Sequence, residues 1–197
     1  MAAKMKVLVA SAPRSGGTWL FNATRLVLGS QGGEVHGAWC NDYNYDHPAD
    51  YHVVKAHEVR QVMFEPSAVL TTHREIFERM ASMMRMGWLK NTPSAILSGY
   101  QDQQRLYDAW KDRSDLEIEY ATIVDAPADA VKAIAGVLNV DLSDQQAADI
   151  AEQVRNIETP TEGSYDRVTL LHKAHRDGGA ETAMTAQQLR DIVANAG

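Results

Sequence analysis

A loop of small residues near the start of the chain has the composition of an anion-binding site. It follows an apolar run and precedes a helical period, and the segment from Val7 to Trp19 reads VLVASAPRSGGTW. Successive backbone N–H groups in such a loop, together with the N-terminus of the following helix, can bind a phosphate dianion. The same residues would also suit an ordinary strand–turn–helix connection in which glycine adopts a positive φ. The segment predicts a phosphate site, and residues elsewhere must distinguish the two interpretations.

Alignment with the nucleotide-binding P-loop pattern G-x-x-x-x-G-K-[ST] shows that the loop has no lysine. Thr18 occupies the hydroxyl position and Gly16 the second glycine, while Ser11 stands at the first glycine. Gly17 stands where nucleotide triphosphatases have the lysine that reaches the β- and γ-phosphates. The cation within the loop is Arg14, whose guanidinium can bind two oxygens of a phosphate or a sulfate. The loop therefore argues against ATP or GTP hydrolysis.

The loop resembles that of a known enzyme family. The run Pro13–Trp19 is similar to the 5′-phosphosulfate loop of the sulfotransferases that use 3′-phosphoadenosine 5′-phosphosulfate (PAPS), whose pattern is close to Pro-[Lys/Arg]-Ser-Gly-Thr-Thr-Trp. The difference within the run is Gly17, where the family usually has threonine. The resemblance implies that PAPS is bound by Arg14, Ser15, Gly16, Gly17, Thr18 and Trp19.

A second match lies at the end of the predicted strand Tyr51–Ala56. The sequence VVKAH there resembles the family's Lys-Thr-His segment, which implies that Lys55 contacts the transferring sulfuryl group and that His57 is the general base. Arg14 and Lys55 would then neutralise the leaving phosphate. Taken alone, a histidine at a strand end is more often a surface or hydrogen-bonded residue, and Glu58 is a neighbouring alternative base.

A third match concerns the 3′-phosphate of the nucleotide. Arg74 follows the predicted strand Ala68–Thr72, and Ser82 lies eight positions later on the next predicted helix. The family has an arginine and a serine at this spacing, so the resemblance implies that both side chains bind the 3′-phosphate. Tyr120 ends a segment similar to the family's Tyr-Glu-Asp strand, in which the tyrosine lies near the adenine, although the acidic pair is absent here.

The last match is a basic segment ahead of the final predicted helix. From Leu170 to Gly179 the chain reads LLHKAHRDGG, at a place where the family has an Arg-Lys-Gly segment for the 3′-phosphate. Lys173 and Arg176 are expected to bind there, with His175 as a further candidate. The tryptophan that follows this segment in the family is absent.

The resemblance runs from Val7 to about Leu189 and implies an enzyme that moves a sulfuryl group from PAPS to a hydroxyl acceptor. The products would be adenosine 3′,5′-bisphosphate (PAP) and a sulfate ester, and the chemistry needs no metal ion. The acceptor would be a small molecule or a carbohydrate. Aromatic residues between His36 and Tyr51 could stack on it or could pack the loop itself. Two alternatives stay open: a P-loop small-molecule kinase, and a non-catalytic nucleotide-binding module.

Short strands and helices must position these residues. Apolar runs predict strands over Lys6–Ala10, Tyr51–Ala56, Ala68–Thr72 and Leu116–Tyr120. Helical spacing and capping residues predict helices over Thr18–Gly29, from about Arg74, over Thr92–Lys111, Ala128–Leu138 and Ser143–Asn156, and after Thr185. The segment Gln31–Asp50 has no periodicity and is predicted to be a long loop. The alternation predicts one α/β domain over residues 1–197, a three-layer P-loop-like fold with a mainly parallel sheet flanked by helices.

The acidic composition restricts the partners of this chain. There are 26 Asp and Glu residues against 19 Lys and Arg, a formal net charge of −7, whereas a general nucleic-acid binder needs an excess of cations. No nucleic-acid partner is therefore expected. No stretch approaches the roughly 20 apolar residues of a membrane helix, and Cys40 is the only cysteine, which favours a reducing compartment. These features predict a cytoplasmic protein without a membrane partner, and they give no indication of its oligomeric state.

Overall fold

A five-stranded parallel sheet lies at the centre of the fold. The computed structural model describes residues 5–160, 165–172 and 183–196. Within them the strands are β1 (Met5–Ala10), β2 (Val35–Trp39), β3 (Tyr51–Ala56), β4 (Ala68–His73) and β5 (Leu116–Glu119). Their order across the sheet is β2-β3-β1-β4-β5, and each neighbouring pair is parallel. The predicted α/β class with a parallel sheet flanked by helices is confirmed.

Helices connect and cover the strands. They are α1 (Gly17–Gly29), α2 (Ile76–Arg85), α3 (Pro93–Lys111), α4 (Tyr120–Asp125), α5 (Pro127–Val137), α6 (Asp144–Asn156) and α7 (Ala186–Ala194). Short 3-10 helices span Cys40–Asp42 and Val59–Gln61. Three N-termini have the side-chain caps that the sequence predicts, because a hydroxyl oxygen accepts from a backbone N–H in the first turn at Thr92, Ser143 and Thr185. None of the helices in the described ranges is long and apolar enough to cross a membrane.

The sheet is buried on both faces, as parallel sheets are. Side chains of β1 alternate, so Val7 and Val9 enter a core formed with α1, α5 and α6. Leu8 and Ala10 enter a second core that includes Trp110 of α3. All four of these β1 residues are fully or almost fully buried, so the strand that leads into the phosphate loop is fixed from both sides.

The prediction of a loop over Gln31–Asp50 is wrong, because β2 lies within it. Among the described residues this strand is at the edge of the sheet and pairs with β3 alone, with Trp39 opposite Lys55. Its sequence, VHGAW, has glycine at position 37, where a Cβ atom would lie 2.6 Å from the side chain of Arg25. The strand therefore depends on pairing with β3 and on close packing against α1, which local sequence does not show.

The order of the strands determines where a ligand can bind. β1 lies between β3 and β4. The chain continues from β1 to α1, from β3 to the 3-10 helix Val59–Gln61 and from β4 to α2. In open α/β sheets the crevice outside the carboxyl ends of the strands, where the connections diverge, is the usual ligand site. The residues that follow Ala10, Ala56 and His73 meet at this edge.

Candidate active site

The predicted phosphate loop is a tight turn that presents backbone N–H groups. Arg14 has φ 68° and Gly16 has φ 106°, both in the left-handed region. Gly16 is the N-cap residue of α1, which has no side-chain cap and no acidic residue in its first turn. The N–H groups at the start of α1 thus remain available to an anion and carry the positive end of the helix dipole.

Two serines hold the loop in this conformation. Ser15 is fully buried, and its Oγ donates to the carbonyl oxygen of Ala12 at 2.7 Å and lies 2.9 Å from Thr72 Oγ1. Ser11 Oγ accepts from both the backbone N–H and the hydroxyl of Thr72, each at 2.9 Å. Loop and β4 are therefore linked through hydroxyl groups. The side chain of Ser15 points away from the cavity, so any contact between Ser15 and a ligand would use its backbone N–H.

The loop forms one wall of a cavity of about 340 Å³ at the carboxyl edge of the sheet. Nine of the residues proposed from sequence line it: Arg14, Gly16, Gly17, Thr18, Trp19, Lys55, His57, Arg74 and Tyr120. Ser82 is not among the lining residues, and Lys173 and Arg176 lie outside the described residues. The cavity therefore collects the basic side chains of Arg14, Lys55, Arg74 and Arg155 from four separate parts of an acidic chain, which focuses positive potential where an anion would bind.

Lys55 supplies the ammonium group that the loop itself lacks. It extends from β3, is buried, and its Nζ donates to Thr18 Oγ1 at 2.5 Å. Burial, together with the nearby charge of Arg14, lowers the pKa of Lys55 to about 7. The side chain therefore gains or loses its proton near neutral pH, and an anion bound beside it would favour the charged form.

The side chain of His57 is held as a neutral imidazole. Its Nδ1 lies 2.6 Å from the carbonyl oxygen of Ser11, and since a carbonyl oxygen only accepts, Nδ1 carries the proton and Nε2 has the free lone pair. Burial, with the charge of Lys55 second, lowers the pKa of His57 to about 4. Trp110 Nε1 donates to the His57 carbonyl oxygen at 2.8 Å, and the Trp39 ring packs edge-on with centroids 4.9 Å apart. These contacts fix the orientation of the imidazole ring, whose unprotonated Nε2 can accept a hydrogen bond or a proton.

The arginine and serine proposed for the 3′-phosphate do not contact each other. Arg74 stacks over the Tyr120 ring, with its Cζ 4.2 Å from the centroid, and its Nε donates to Glu78 Oε2 at 3.0 Å. Ser82 is buried, and its Oγ accepts from Arg14 Nε at 3.0 Å. The structure therefore pairs Ser82 with the guanidinium of the phosphate loop, while Arg74 and Tyr120 form one side of the cavity.

A second cavity of about 540 Å³ adjoins the first and shares Pro13, Lys55, His57 and Trp88 with it. Trp88 lines both cavities, and no sequence motif indicates this role. Its side chain is 51% exposed, a property that only the structure shows. Arg14 also lies near it, with Cζ 5.7 Å from the ring. Across the described ranges, no group of three or more His, Cys, Asp or Glu side chains could hold a metal ion.

Solved structures with the same fold include mouse sulfotransferase SULT7A1 complexed with PAP, at a TM-score of 0.67 and 14% identity over 97% of this chain and 82% of that chain. The chain has the sulfotransferase fold. Retinol dehydratase is also similar, both with retinol and PAP (TM-score 0.59) and with androsterone and inactive cofactor PAP (0.56), each at 12% identity. These cover 99% of this chain and 82% and 81% of theirs. No protein-family model and no curated protein sequence matches the chain.

The sulfotransferase fold accounts for the position of the cavity and the source of its groups. β1 leads into the phosphate loop, β3 carries Lys55 and ends just before His57, and β4 leads to Arg74. Three neighbouring strands of the sheet thus each deliver part of one site.

Proposed function

We propose that this protein is a PAPS-dependent sulfotransferase that transfers a sulfuryl group to a hydroxyl acceptor. One observation carries the proposal: the phosphate loop, the Lys55 ammonium and the neutral His57 imidazole line the same cavity. Its support is the fold shared with a sulfotransferase and the resemblance of the loop sequence to the 5′-phosphosulfate loop. The three similar structures contain PAP.

The nucleotide would lie along the phosphate loop. Backbone N–H groups at the start of α1 and the Arg14 guanidinium would bind the 5′-phosphosulfate. Arg74 would bind the 3′-phosphate, and the Tyr120 ring beneath it would lie near the adenine. Ser82 supports this arrangement by holding Arg14. Lys173 and Arg176 are proposed as further 3′-phosphate ligands.

The transfer would be an in-line displacement at sulfur. The acceptor oxygen forms a bond to sulfur while the bond from sulfur to the bridging phosphate oxygen breaks, and that oxygen's electron pair leaves with PAP. His57 Nε2 takes the acceptor's proton. Lys55 and Arg14 neutralise the charge that develops on the leaving phosphate, which is the main catalytic need of a loose transition state. The products are a sulfate ester, PAP and a proton held on His57.

The contact between Lys55 and Thr18 favours this chemistry over a P-loop kinase. In that class the loop hydroxyl binds Mg²⁺, and a lysine directly before it reaches the phosphates. Here Gly17 precedes the hydroxyl, and Thr18 Oγ1 accepts from an ammonium group, which would repel a divalent cation. We further propose a small-molecule acceptor, since retinol and androsterone are the small molecules in the similar structures. A cytoplasmic location remains our proposal from Cys40, the only cysteine of the chain.

Calorimetry with two nucleotides tests the proposal. PAP should bind in EDTA-containing buffer, and ATP with Mg²⁺ should bind at least tenfold more weakly. Lys55→Met should weaken PAP binding, while Lys132→Met serves as the control, because Lys132 lies on exposed α5 surface in an ion pair with Asp144. A Mg²⁺-dependent preference for ATP would overturn the proposal in favour of the kinase.

A further inference from the structure

The second cavity has largely apolar and aromatic walls. Its volume of about 540 Å³ lies in the range of sites for small organic ligands. The apolar wall is formed by Pro13, Trp39, Met83, Trp88 and Leu170. Because the same cavity reaches Lys55 and His57, a ligand in it can bring a hydroxyl group to the base.

One carboxylate interrupts this apolar lining. Asp42, at the end of the 3-10 helix that follows β2, is the only acidic residue among the described residues that line the cavity. Tyr165, another lining residue, donates its hydroxyl to Asp42 Oδ2 and so fixes the carboxylate at the wall with an aromatic ring beside it. In the described ranges no Lys, Arg or His forms an ion pair with Asp42.

The two cavities differ in charge, because the second has the carboxylate of Asp42 in its lining besides Lys55, which it shares with the first. Arg14, Lys55 and Arg74 line the nucleotide cavity, where an anionic ligand is favoured. The adjoining cavity presents a carboxylate with aromatic faces, and this combination favours a cationic group over a neutral or anionic one. Such a ligand would be oriented, since its cation is attracted to Asp42 and kept away from Lys55.

We propose that the acceptor is a hydroxyl compound that also carries a cationic nitrogen, such as an amino alcohol, a hydroxylated quaternary ammonium compound or a phenolic amine. The inference rests on the proposed sulfotransferase function and specifies its substrate class. The hydroxyl lies at His57, and the cation lies against Asp42 and the ring of Tyr165. Anionic acceptors are disfavoured by the same carboxylate.

Matched acceptors that differ only in charge test this class. Choline is compared with its neutral carbon isostere dimethylbutanol, and tyramine with para-ethylphenol and the anionic para-hydroxyphenylpropanoate. With PAPS as donor, the cationic member of at least one series should have a kcat/KM at least tenfold above its neutral partner. The preference should shrink as salt is raised, because the Asp42 carboxylate is exposed to solvent.

Two charge-neutralising variants separate a local effect from a general one. Asp42→Asn should reduce the cation preference from at least tenfold to less than about threefold, with PAP affinity unchanged. Asp46→Asn removes the same charge from an exposed residue of the same segment that does not line the cavity, and it should keep the full preference. Tyr165→Phe keeps the ring but removes the hydrogen bond to Asp42, and it should give an intermediate preference.

The outcomes distinguish this inference from the proposed function. If sulfate esters form but cationic and neutral members react equally, or if Asp42→Asn leaves the preference intact, the acceptor class is wrong and the sulfotransferase function stands. If PAP binds but no cationic acceptor is sulfated while a neutral or anionic one is, the class is equally wrong. Failure of PAP to bind at all would instead refute the proposed function.

Discussion

Neighbouring glycines in the phosphate loop should respond in opposite ways to the same substitution. Gly16 has φ 106°, and a Cβ atom there would lie 2.9 Å from Ile123 Cδ1 and 3.2 Å from Tyr120 Cδ2. Gly17 begins α1, and its Cβ would meet nothing closer than Ser11 Cβ at 3.4 Å, which is ordinary contact. Gly16→Ala and Gly17→Ala thus form a matched pair, one strained and one tolerated.

The expected free energies follow from these contacts. In Gly16→Ala, the left-handed backbone conformation of the alanine costs about 1–2 kcal/mol, and displacing the packed side chains costs about 1–3 kcal/mol. The free energy of unfolding should therefore fall by about 3 kcal/mol. In a chain of this size 1 kcal/mol corresponds to about 2–4 °C, which gives a fall in Tm of about 6–12 °C. Gly17→Ala reduces the conformational entropy of the unfolded chain and should therefore raise the free energy of unfolding by about 0.5 kcal/mol.

Thermal unfolding followed by circular dichroism, with PAP calorimetry on the same samples, measures both effects. PAP affinity should fall at least tenfold in Gly16→Ala, because the displaced Tyr120 ring is part of the nucleotide cavity, and should stay within about threefold in Gly17→Ala. Equal changes in Tm for the two variants, or a larger loss in Gly17→Ala, would refute the account of the loop.

Three further predictions concern charged and titratable groups of the site. Because the pKa of Lys55 is about 7 and a bound phosphate raises it, PAP binding at pH 8 should take up roughly 0.9 proton and weaken as pH rises. Calorimetry in buffers of different ionisation enthalpy measures the proton uptake, and Lys55→Met should show none. His57→Ala should lower kcat by about 10²–10⁴-fold at unchanged PAP affinity, whereas Glu58→Gln should keep the wild-type kcat. The reverse result in steady-state assays would make the base assignment wrong. Arg74→Ala should remove most of the preference for PAP over 5′-AMP, about 10–150-fold by calorimetry, and equal wild-type affinities for the two nucleotides would contradict the assignment.

Features encoded by neighbouring residues could be predicted from the sequence. The apolar run before the phosphate loop, the glycine at its left-handed turn, and the caps at Thr92, Ser143 and Thr185 all depend on residues within a few positions. The alternation of strands and helices then restricts the topology, since parallel strands need crossovers. For this reason the sequence alone predicts that Lys55 and His57 lie at the same edge of the sheet as the loop.

Features that depend on residues distant in the chain could not be predicted from the sequence. The family resemblance predicts a shared ligand for Arg74 and Ser82, but it gives no sign that Ser82 Oγ accepts a hydrogen bond from Arg14, 68 positions earlier. The edge strand β2 is held by its pairing with β3, which starts 16 residues later in the chain. Asp42 and Tyr165 are 123 positions apart and meet only through the fold. Sequence spacing predicts neighbours along one element, whereas contacts between elements are decided by packing.

Transfer of labelled sulfur tests the central claim most directly. The protein is incubated with PAPS carrying radioactive sulfur in its sulfuryl group, in EDTA, with the cationic and neutral acceptors described above. We expect label to appear in an acceptor sulfate ester with one PAP formed per ester, and we expect His57→Ala to lose this transfer while still binding PAP. Label that remains in PAPS or appears only as inorganic sulfate, under conditions in which PAP binds, would contradict it.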